Sequence, residues 1–213
     1  MTVTKTVLFG GSFDPIHIGH TTVAESAMNF IEAQKLIFIP VSRSPLKHTD
    51  PYATAQQRLD MISLAIKNKP QFEVSDFELK RPAPNYTIDT VKHFIQSFDK
   101  TDNTVQIHLL IGADCVNELD RWHRITELIR LCELRVMYRA GFAKPDFSRL
   151  IQLLGHKQVE KLTQNVVPVP LVDISSTEIR KAIAAEKDVT DLLDKPVTEY
   201  IKQHRLYKKT NVI

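Results

Sequence analysis

The sequence predicts an α/β fold, a doubly wound parallel sheet with helices on both faces and a small C-terminal helical segment. Three observations lead there. Short apolar runs alternate with segments of helical period along the whole chain, which makes successive strands the two ends of βαβ crossovers. Runs such as Val7-Leu8-Phe9 and Leu36-Ile37-Phe38-Ile39 are continuously apolar, as in strands buried on both faces. Nearly every polar motif follows a strand, and in open α/β sheets ligands gather beyond the carboxyl ends of the strands.

Taken in order, residues 6–9 read as a buried strand and residues 21–31 as a helix, with Val23, Ala27, Phe30 and Ile31 at helical spacing. Residues 36–41 form the next strand. Thr54 with Gln57 makes a capping box that opens a helix through Leu59, Ile62 and Ile66. Residues 72–79 alternate like a strand. Thr87 stands before a helix that carries Ile88, Val91, Ile95 and Phe98 on one face. Residues 105–111 are another buried strand, followed by Gly112-Ala113-Asp114 and helical sequence through Leu131. Residues 134–138 are the fifth strand and 146–154 a helix. Residues 166–174 form a last strand, which Pro168 and Pro170 assign to an edge. Two helices, 177–185 and 197–204, close the chain.

The composition is that of an ordinary folded protein, with 43% apolar and 25% charged residues. No apolar run is long enough to span a bilayer, and no secretory leader pattern opens the sequence, so a cytoplasmic protein without a membrane segment is expected. Cys115 and Cys132 form no CxxC pair and are expected to be plain thiols. The net charge of +3 suits an anionic small substrate, while no Lys/Arg run points to nucleic acid. No repeat or linker divides residues 1–213, which are expected to form one domain. The composition leaves a homo-oligomer open.

The chemistry lies in two strings. The first is Gly10-Gly11-Ser12-Phe13-Asp14-Pro15-Ile16-His17-Ile18-Gly19-His20. It is neither GxGxxG nor GxxxxGK[ST], which argues against dinucleotide redox and P-loop readings. Gly10 and Gly11 let the backbone turn close to a phosphate, and Ser12 adds a hydroxyl. His17 and His20, at the opening of a helix, can face phosphate oxygens beside helix-terminal amides, with Gly19 leaving room for the ligand. A metal pair is the alternative for two histidines three apart, but no third ligand stands at suitable spacing. The second string is Asp173-Ile174-Ser175-Ser176-Thr177-Glu178-Ile179-Arg180. Ser175 and Glu178 form a capping box, and Arg180 sits one turn into a helix whose N-terminus favours anions. A well-capped helix without a ligand would show the same box.

GGSFDPIHIGH resembles the signature of the HxGH nucleotidyltransferases. That resemblance implies a Rossmann-like fold and transfer of a nucleotidyl group from ATP or CTP, with Mg²⁺ and without a covalent intermediate. The second string is similar to the ISSTxIR element with which adenylyltransferases hold the ATP phosphates. The order FGGSFDPIHIGH, IPVSRSPLK, Gln57-Arg58-Leu59, NYTIDT, IGAD, Trp122, ISSTEIR and VTEYIKQHRLY resembles the nicotinate-nucleotide adenylyltransferase family over nearly the whole chain. A pantetheine-phosphate adenylyltransferase would be shorter and lack the Trp122 and NYTIDT context. A glycerol-phosphate cytidylyltransferase would carry RTxGISTT in place of PLVDISSTEIR.

The resemblance implies ATP and nicotinate mononucleotide as substrates and deamido-NAD and pyrophosphate as products. It implies His17, His20, Lys47 and Arg180 as the groups acting on the phosphates, and Gly11, Ser12, Phe13, Ser175 and Ser176 as further ATP contacts. Gly112 and Asp114 would hold the adenosine ribose. Tyr86 and Thr87, at a helix start, would receive the nicotinate carboxylate, and Trp122 would stack on the pyridine ring. Plain alternatives exist: a Thr N-cap at 87, a helix-capping Asp114, a core tryptophan and a solvated loop lysine. Residues 173–209 would be the helical segment that contributes the phosphate element. No resident metal site is expected, so Mg²⁺ would come with ATP. The chain departs from the family pattern at Leu46, Asn85 and Arg139-Ala140-Gly141-Phe142. A nicotinamide-nucleotide acceptor, a non-catalytic nucleotide-binding regulator and an RNA-binding protein are the other readings.

Overall fold

Strand-forming runs of Val, Ile, Leu and Phe assemble here into one parallel sheet. The computed structural model of the chain describes residues 3–42, 50–98, 104–139, 145–170 and 172–208. Its strands are β1 (Thr4–Gly11), β2 (Lys35–Pro40), β3 (Phe72–Val74), β4 (Val105–Gly112), β5 (Glu133–Arg139) and β6 (Val166–Val169). They lie in the order β3-β2-β1-β4-β5-β6, and every neighbouring pair is parallel. The chain winds outward from the β1–β4 boundary in both directions. That boundary is the topological switch where a ligand crevice forms. The doubly wound Rossmann-like architecture expected from the sequence is therefore present.

The helices are α1 (Ile18–Ile31), α2 (Ala55–Ile66), α3 (Thr87–Phe98), α4 (Ile125–Leu131), α5 (Ile151–Leu154), α6 (His156–Gln164), α7 (Ser176–Ala184) and α8 (Lys195–Gln203). Side-chain alternation along the strands sends alternate residues to opposite faces. Val7, Phe9, Leu36 and Phe38 pack with Ala24 and Ile31 of α1, Met61 and Ile62 of α2, Ile179 of α7 and Ile201 of α8. Leu8, Ile37, Ile39 and Leu109 pack on the other face with Ile88 and Val91 of α3, Leu128 of α4 and Leu162 of α6. One consequence matters for the site: α1 and α7 lie on the same face, with their N-termini near the end of β1. Among the described residues no helix is long and apolar enough to cross a membrane.

Several boundaries differ from the sequence expectation. β1 runs to Gly11, so both glycines are strand residues, Gly11 opposite Pro40. α1 begins three residues early, at Ile18, with Phe30 half exposed rather than packed. β3 stops at Val74 instead of Leu79. Beyond it the chain coils into turns in which Asp76 and Glu78 carbonyls accept from the amides of Lys80 and Arg81. The expected helix to Leu131 is split. A 3₁₀ helix (Ala113–Arg121) precedes α4, and Arg124 between them has φ +55°. α6 went unread because only Val159 and Leu162 of its nine residues are buried. β6 ends at Val169 rather than 174, and it lies at the sheet edge, as the prolines require.

Candidate active site

The loop of residues 12–17 leaves the end of β1 and enters α1, and its shape starts from a buried ring. Phe13 adopts φ +47° and points inward, 1% exposed, edge-on to Phe9 and Phe38. A Cβ on Gly11 would lie 2.8 Å from that ring. Gly11 therefore admits Phe13, a different reason for the glycine from the phosphate approach expected. Gly10 meets nothing within 4 Å. With its ring in the core, Phe13 presents only its main chain to a ligand.

His17 is the N-cap of α1, in extended conformation, and is 5% exposed. Its amide donates to Nδ1 of His20 at 3.3 Å, and the two rings stack with centroids 3.7 Å apart. Because Nδ1 of His20 accepts, the neutral ring carries its proton on Nε2, which makes that nitrogen a donor. A Cβ on Gly19 would meet Nδ1 of His17 at 2.9 Å and Cγ1 of Val172 at 3.1 Å. The space above Gly19 thus holds the His17 ring, which corrects the expectation that it leaves room for a ligand. Among the described residues no three His, Cys, Asp or Glu side chains could hold a metal ion.

Asp14 ties the loop to distant segments. Its buried carboxylate accepts from the Tyr52 amide (2.7 Å), the Ala53 amide (3.0 Å) and the Tyr207 hydroxyl (2.7 Å). Arg180 of α7 donates through Nη1 to the Asp14 carbonyl at 2.6 Å, through Nη2 to Thr177 Oγ1 at 3.3 Å, and lies over the Tyr52 ring. Ser176 Oγ donates to the Pro15 carbonyl at 2.9 Å, while Ser175 Oγ accepts from the Glu178 amide at 3.2 Å. Only this half of the expected capping box forms, since the Glu178 carboxylate turns to Lys181. Arg58 of α2, 2% exposed, donates to the carbonyls of Ser12 and Val41, both at 2.8 Å. Burial lowers its pKa, while the Asp14 charge works to raise it.

Asp14, Arg58 and Tyr207 stand inside the strings that carry the family resemblance, but the sequence assigns none of them a role. Arg58 did leave a signal, an arginine on the stripe that Met61, Ile62 and Ala65 bury. Asp14 stands inside the first string. Tyr207 left none that local patterning could find.

The neighbouring strand end supplies Gly112 and Asp114. A Cβ on Gly112 would come within 2.2 Å of Asp114 Oδ1, so the glycine lets the carboxylate fold back over the strand end. On the other side of the crevice, α3 begins at Thr87 itself. The Tyr86 carbonyl accepts from the amides of Asp89 and Thr90, and Thr87 therefore lies in the first turn rather than capping it. Tyr86 stacks on His123 at 4.2 Å, which brings it beside Trp122, a half-buried residue packed on the core. The Asn85 amide nitrogen donates to Ser42 Oγ and the Glu78 carbonyl, both at 3.0 Å. The Glu78 carboxylate accepts from Thr90 Oγ1 at 2.7 Å, and burial raises its pKa.

The structure thus gathers Gly11, Ser12, His17, His20, Ser175, Ser176 and Arg180 about one loop. Gly112 ends the adjacent strand and Asp114 opens the 3₁₀ helix that follows it, while Tyr86, Thr87 and Trp122 stand on the far rim. Lys47, with Leu46, lies outside the described residues. A concavity of about 660 Å³ between α4 and α6, lined in part by Ile129, Arg130, Leu153 and Lys157, includes none of these side chains.

A family model described as cytidylyltransferase-like matches residues 8–182. A relative from Caldicellulosiruptor bescii is 36% identical over 96% of this chain and 100% of its own length. One from Methylacidiphilum infernorum is 40% identical over 95% of this chain and 92% of its own. Both bear the name "Probable nicotinate-nucleotide adenylyltransferase". The chain belongs to the nicotinate-nucleotide adenylyltransferases, within the cytidylyltransferase-like family. The fold is shared with a Plasmodium falciparum nicotinic acid mononucleotide adenylyltransferase solved in complex with NaAD. There the TM-score is 0.69 at 18% identity, with 96% of this chain and 97% of that chain covered.

Proposed function

We propose that this enzyme transfers the adenylyl group of ATP to nicotinate mononucleotide, releasing pyrophosphate and forming deamido-NAD in NAD biosynthesis. The observation that carries the proposal is the convergence of two helix N-termini, His17, His20 and Arg180 on the loop that leaves β1 at the sheet's switch point. An acceptor phosphate oxygen attacks the α-phosphorus in line. One P–O bond forms as the bond to the β,γ-pyrophosphate breaks, and the chain needs no nucleophile of its own. Catalysis is then positioning together with stabilisation of the charge that develops on phosphate oxygens.

His20 donates from Nε2, the nitrogen its hydrogen-bonded Nδ1 leaves protonated. His17 lines the same surface, and the amides at the start of α1 add their partial positive charge. Arg180 and Lys47 neutralise the triphosphate, and Ser175 and Ser176 bring the N-terminus of α7 to it. Gly112 and Asp114 take the ribose hydroxyls. Mg²⁺ bound with ATP, as part of the substrate, would offset charge on the leaving pyrophosphate. Thr87 and the first-turn amides of α3 receive the nicotinate carboxylate, with Trp122 against the ring.

In this reading residues 1–213 work as one domain, with residues 173–209 carrying the second phosphate element. The site of action is the cytoplasm, whose reducing conditions keep the Cys115 and Cys132 side chains as thiols. Pyrophosphate release from ATP with nicotinate mononucleotide, nicotinamide mononucleotide and phosphopantetheine as acceptors tests the proposal. Preference for the first is expected. Release with none of them refutes the enzyme reading, and preference for another reassigns the acceptor.

A further inference from the structure

The C-terminal turn after α8 ends in an unusual conformation. Arg205 has φ +52° and Tyr207 φ +61°, left-handed values that bulky side chains rarely adopt unless their surroundings demand it. The double bend delivers the Tyr207 hydroxyl to Asp14 Oδ1 at 2.7 Å, across 193 residues of sequence. Asp14 ties the phosphate loop to three other segments. Besides Tyr207 it takes two backbone amides ahead of α2, and its own carbonyl and carboxylate face Arg180, whose Nη1 is 3.9 Å from Oδ2. Burial and the Asp14 anion both hold the phenol protonated, so Tyr207 remains the donor.

We infer that Tyr207 is a positioning residue for the ATP phosphates. Its hydroxyl, bound to the Asp14 carboxylate, holds the loop of residues 12–17 and the Arg180 guanidinium in the arrangement that receives the triphosphate. This rests on the adenylyl-transfer reading above. Three donors leave Asp14 little freedom to rotate, and the carbonyl that Arg180 grips belongs to the same residue. Loss of the hydroxyl leaves one lone pair of a buried carboxylate without its donor. The carboxylate then turns toward Arg180, whose Nη1 already stands 3.9 Å from Oδ2, and draws that guanidinium off the phosphates.

The anchoring of α8 itself is separate. Tyr200 donates to Asp60 of α2 at 2.8 Å, and Ile201 and Val197 are buried in the core. Tyr207→Phe therefore keeps the tail docked and removes a single hydrogen bond, and Tyr200→Phe removes a tail hydrogen bond of the same kind to a different carboxylate, Asp60.

The test compares the two variants with the unaltered enzyme. Affinity for a non-hydrolysable ATP analogue is measured by calorimetry, and KM values for ATP and nicotinate mononucleotide by steady-state kinetics. Tyr207→Phe is expected to weaken analogue binding and raise the ATP KM by about tenfold, with the acceptor KM within about twofold. Tyr200→Phe is expected to leave all three unchanged while lowering the melting temperature. Unchanged analogue affinity in Tyr207→Phe overturns the inference, and so does an equal loss in both variants. If the unaltered enzyme binds the analogue yet transfers to no acceptor, the proposed function fails, and the Tyr207 inference is decided by the binding measurement alone.

Discussion

The two rims of the crevice are built differently. On the phosphate side, the loop of residues 12–17 is crossed by hydrogen bonds from α2, α7 and the C-terminal turn, so side chains remote in sequence hold it in place. On the opposite rim, Tyr86, Thr87 and Trp122 are all only half buried, and Tyr86 meets Trp122's neighbour through an exposed ring stack with His123. The bonds from α2, α7 and the C-terminal turn fasten the first rim from three sides, the arrangement that stabilisation of developing phosphate charge demands. The second is a platform whose shape depends on two loops meeting. In the function proposed above, the phosphate chemistry falls to the braced rim and the choice of acceptor to the looser one.

Variants that alter one rim and spare the other separate their two contributions. His20→Ala should have the largest effect, a loss of about 3 kcal/mol of transition-state stabilisation, or roughly a hundredfold in kcat, with the acceptor KM little changed. Near-normal turnover in that variant would remove His20 from the mechanism.

The sheet that carries both rims provides a control of similar size. His108 in β4 is 1% exposed and accepts at Nδ1 from Arg135 Nε at 3.1 Å. Burial, with Arg135 beside it, lowers its pKa to about 4. A buried imidazole held neutral contributes stability that is fully present above its unfolded pKa of about 6.5. It is lost as pH falls toward about 4, up to roughly 3 kcal/mol over that window. His108→Gln should flatten the pH dependence of the melting temperature between those limits. An unchanged slope would assign the acid sensitivity to other groups.

Gly11→Ala tests the braced rim by packing. A methyl 2.8 Å from the Phe13 ring must displace it, which should cost about 2 kcal/mol and lower the melting temperature by roughly 5 °C. The smallest effect sharpens the other rim. Trp122→Ala should raise the acceptor KM about tenfold and leave the ATP KM alone. Equal changes in both would mean that the rims are not separable.

The same contrast explains what could be read from the sequence. The doubly wound parallel sheet is legible in the apolar runs and the rule for parallel crossovers, and the phosphate strings are legible because their parts lie within eleven and eight residues. Gly11 and Gly19 have packing tasks that the sequence does not announce. The inward turn of Phe13 depends on its positive φ, which no residue pattern announces, and the His17 ring fills the space over Gly19 only once the two histidines stack. Asp14 and Arg58 looked like ordinary polar residues because their partners are backbone groups elsewhere. Glu78 reads as one more residue of an alternating strand, yet it is a buried carboxylate bonded to Thr90 beyond the end of β3. Contacts made by folding two remote segments together, Tyr207 on Asp14 above all, leave no local trace.

The central claim is adenylyl transfer from ATP to nicotinate mononucleotide at the braced loop. Its most direct test is the product stoichiometry of the purified protein supplied with ATP, Mg²⁺ and nicotinate mononucleotide, followed by mass spectrometry and pyrophosphate release. One deamido-NAD and one pyrophosphate per ATP consumed is the predicted result. Consumption of ATP to ADP or AMP without the dinucleotide, or no consumption at all, would contradict it.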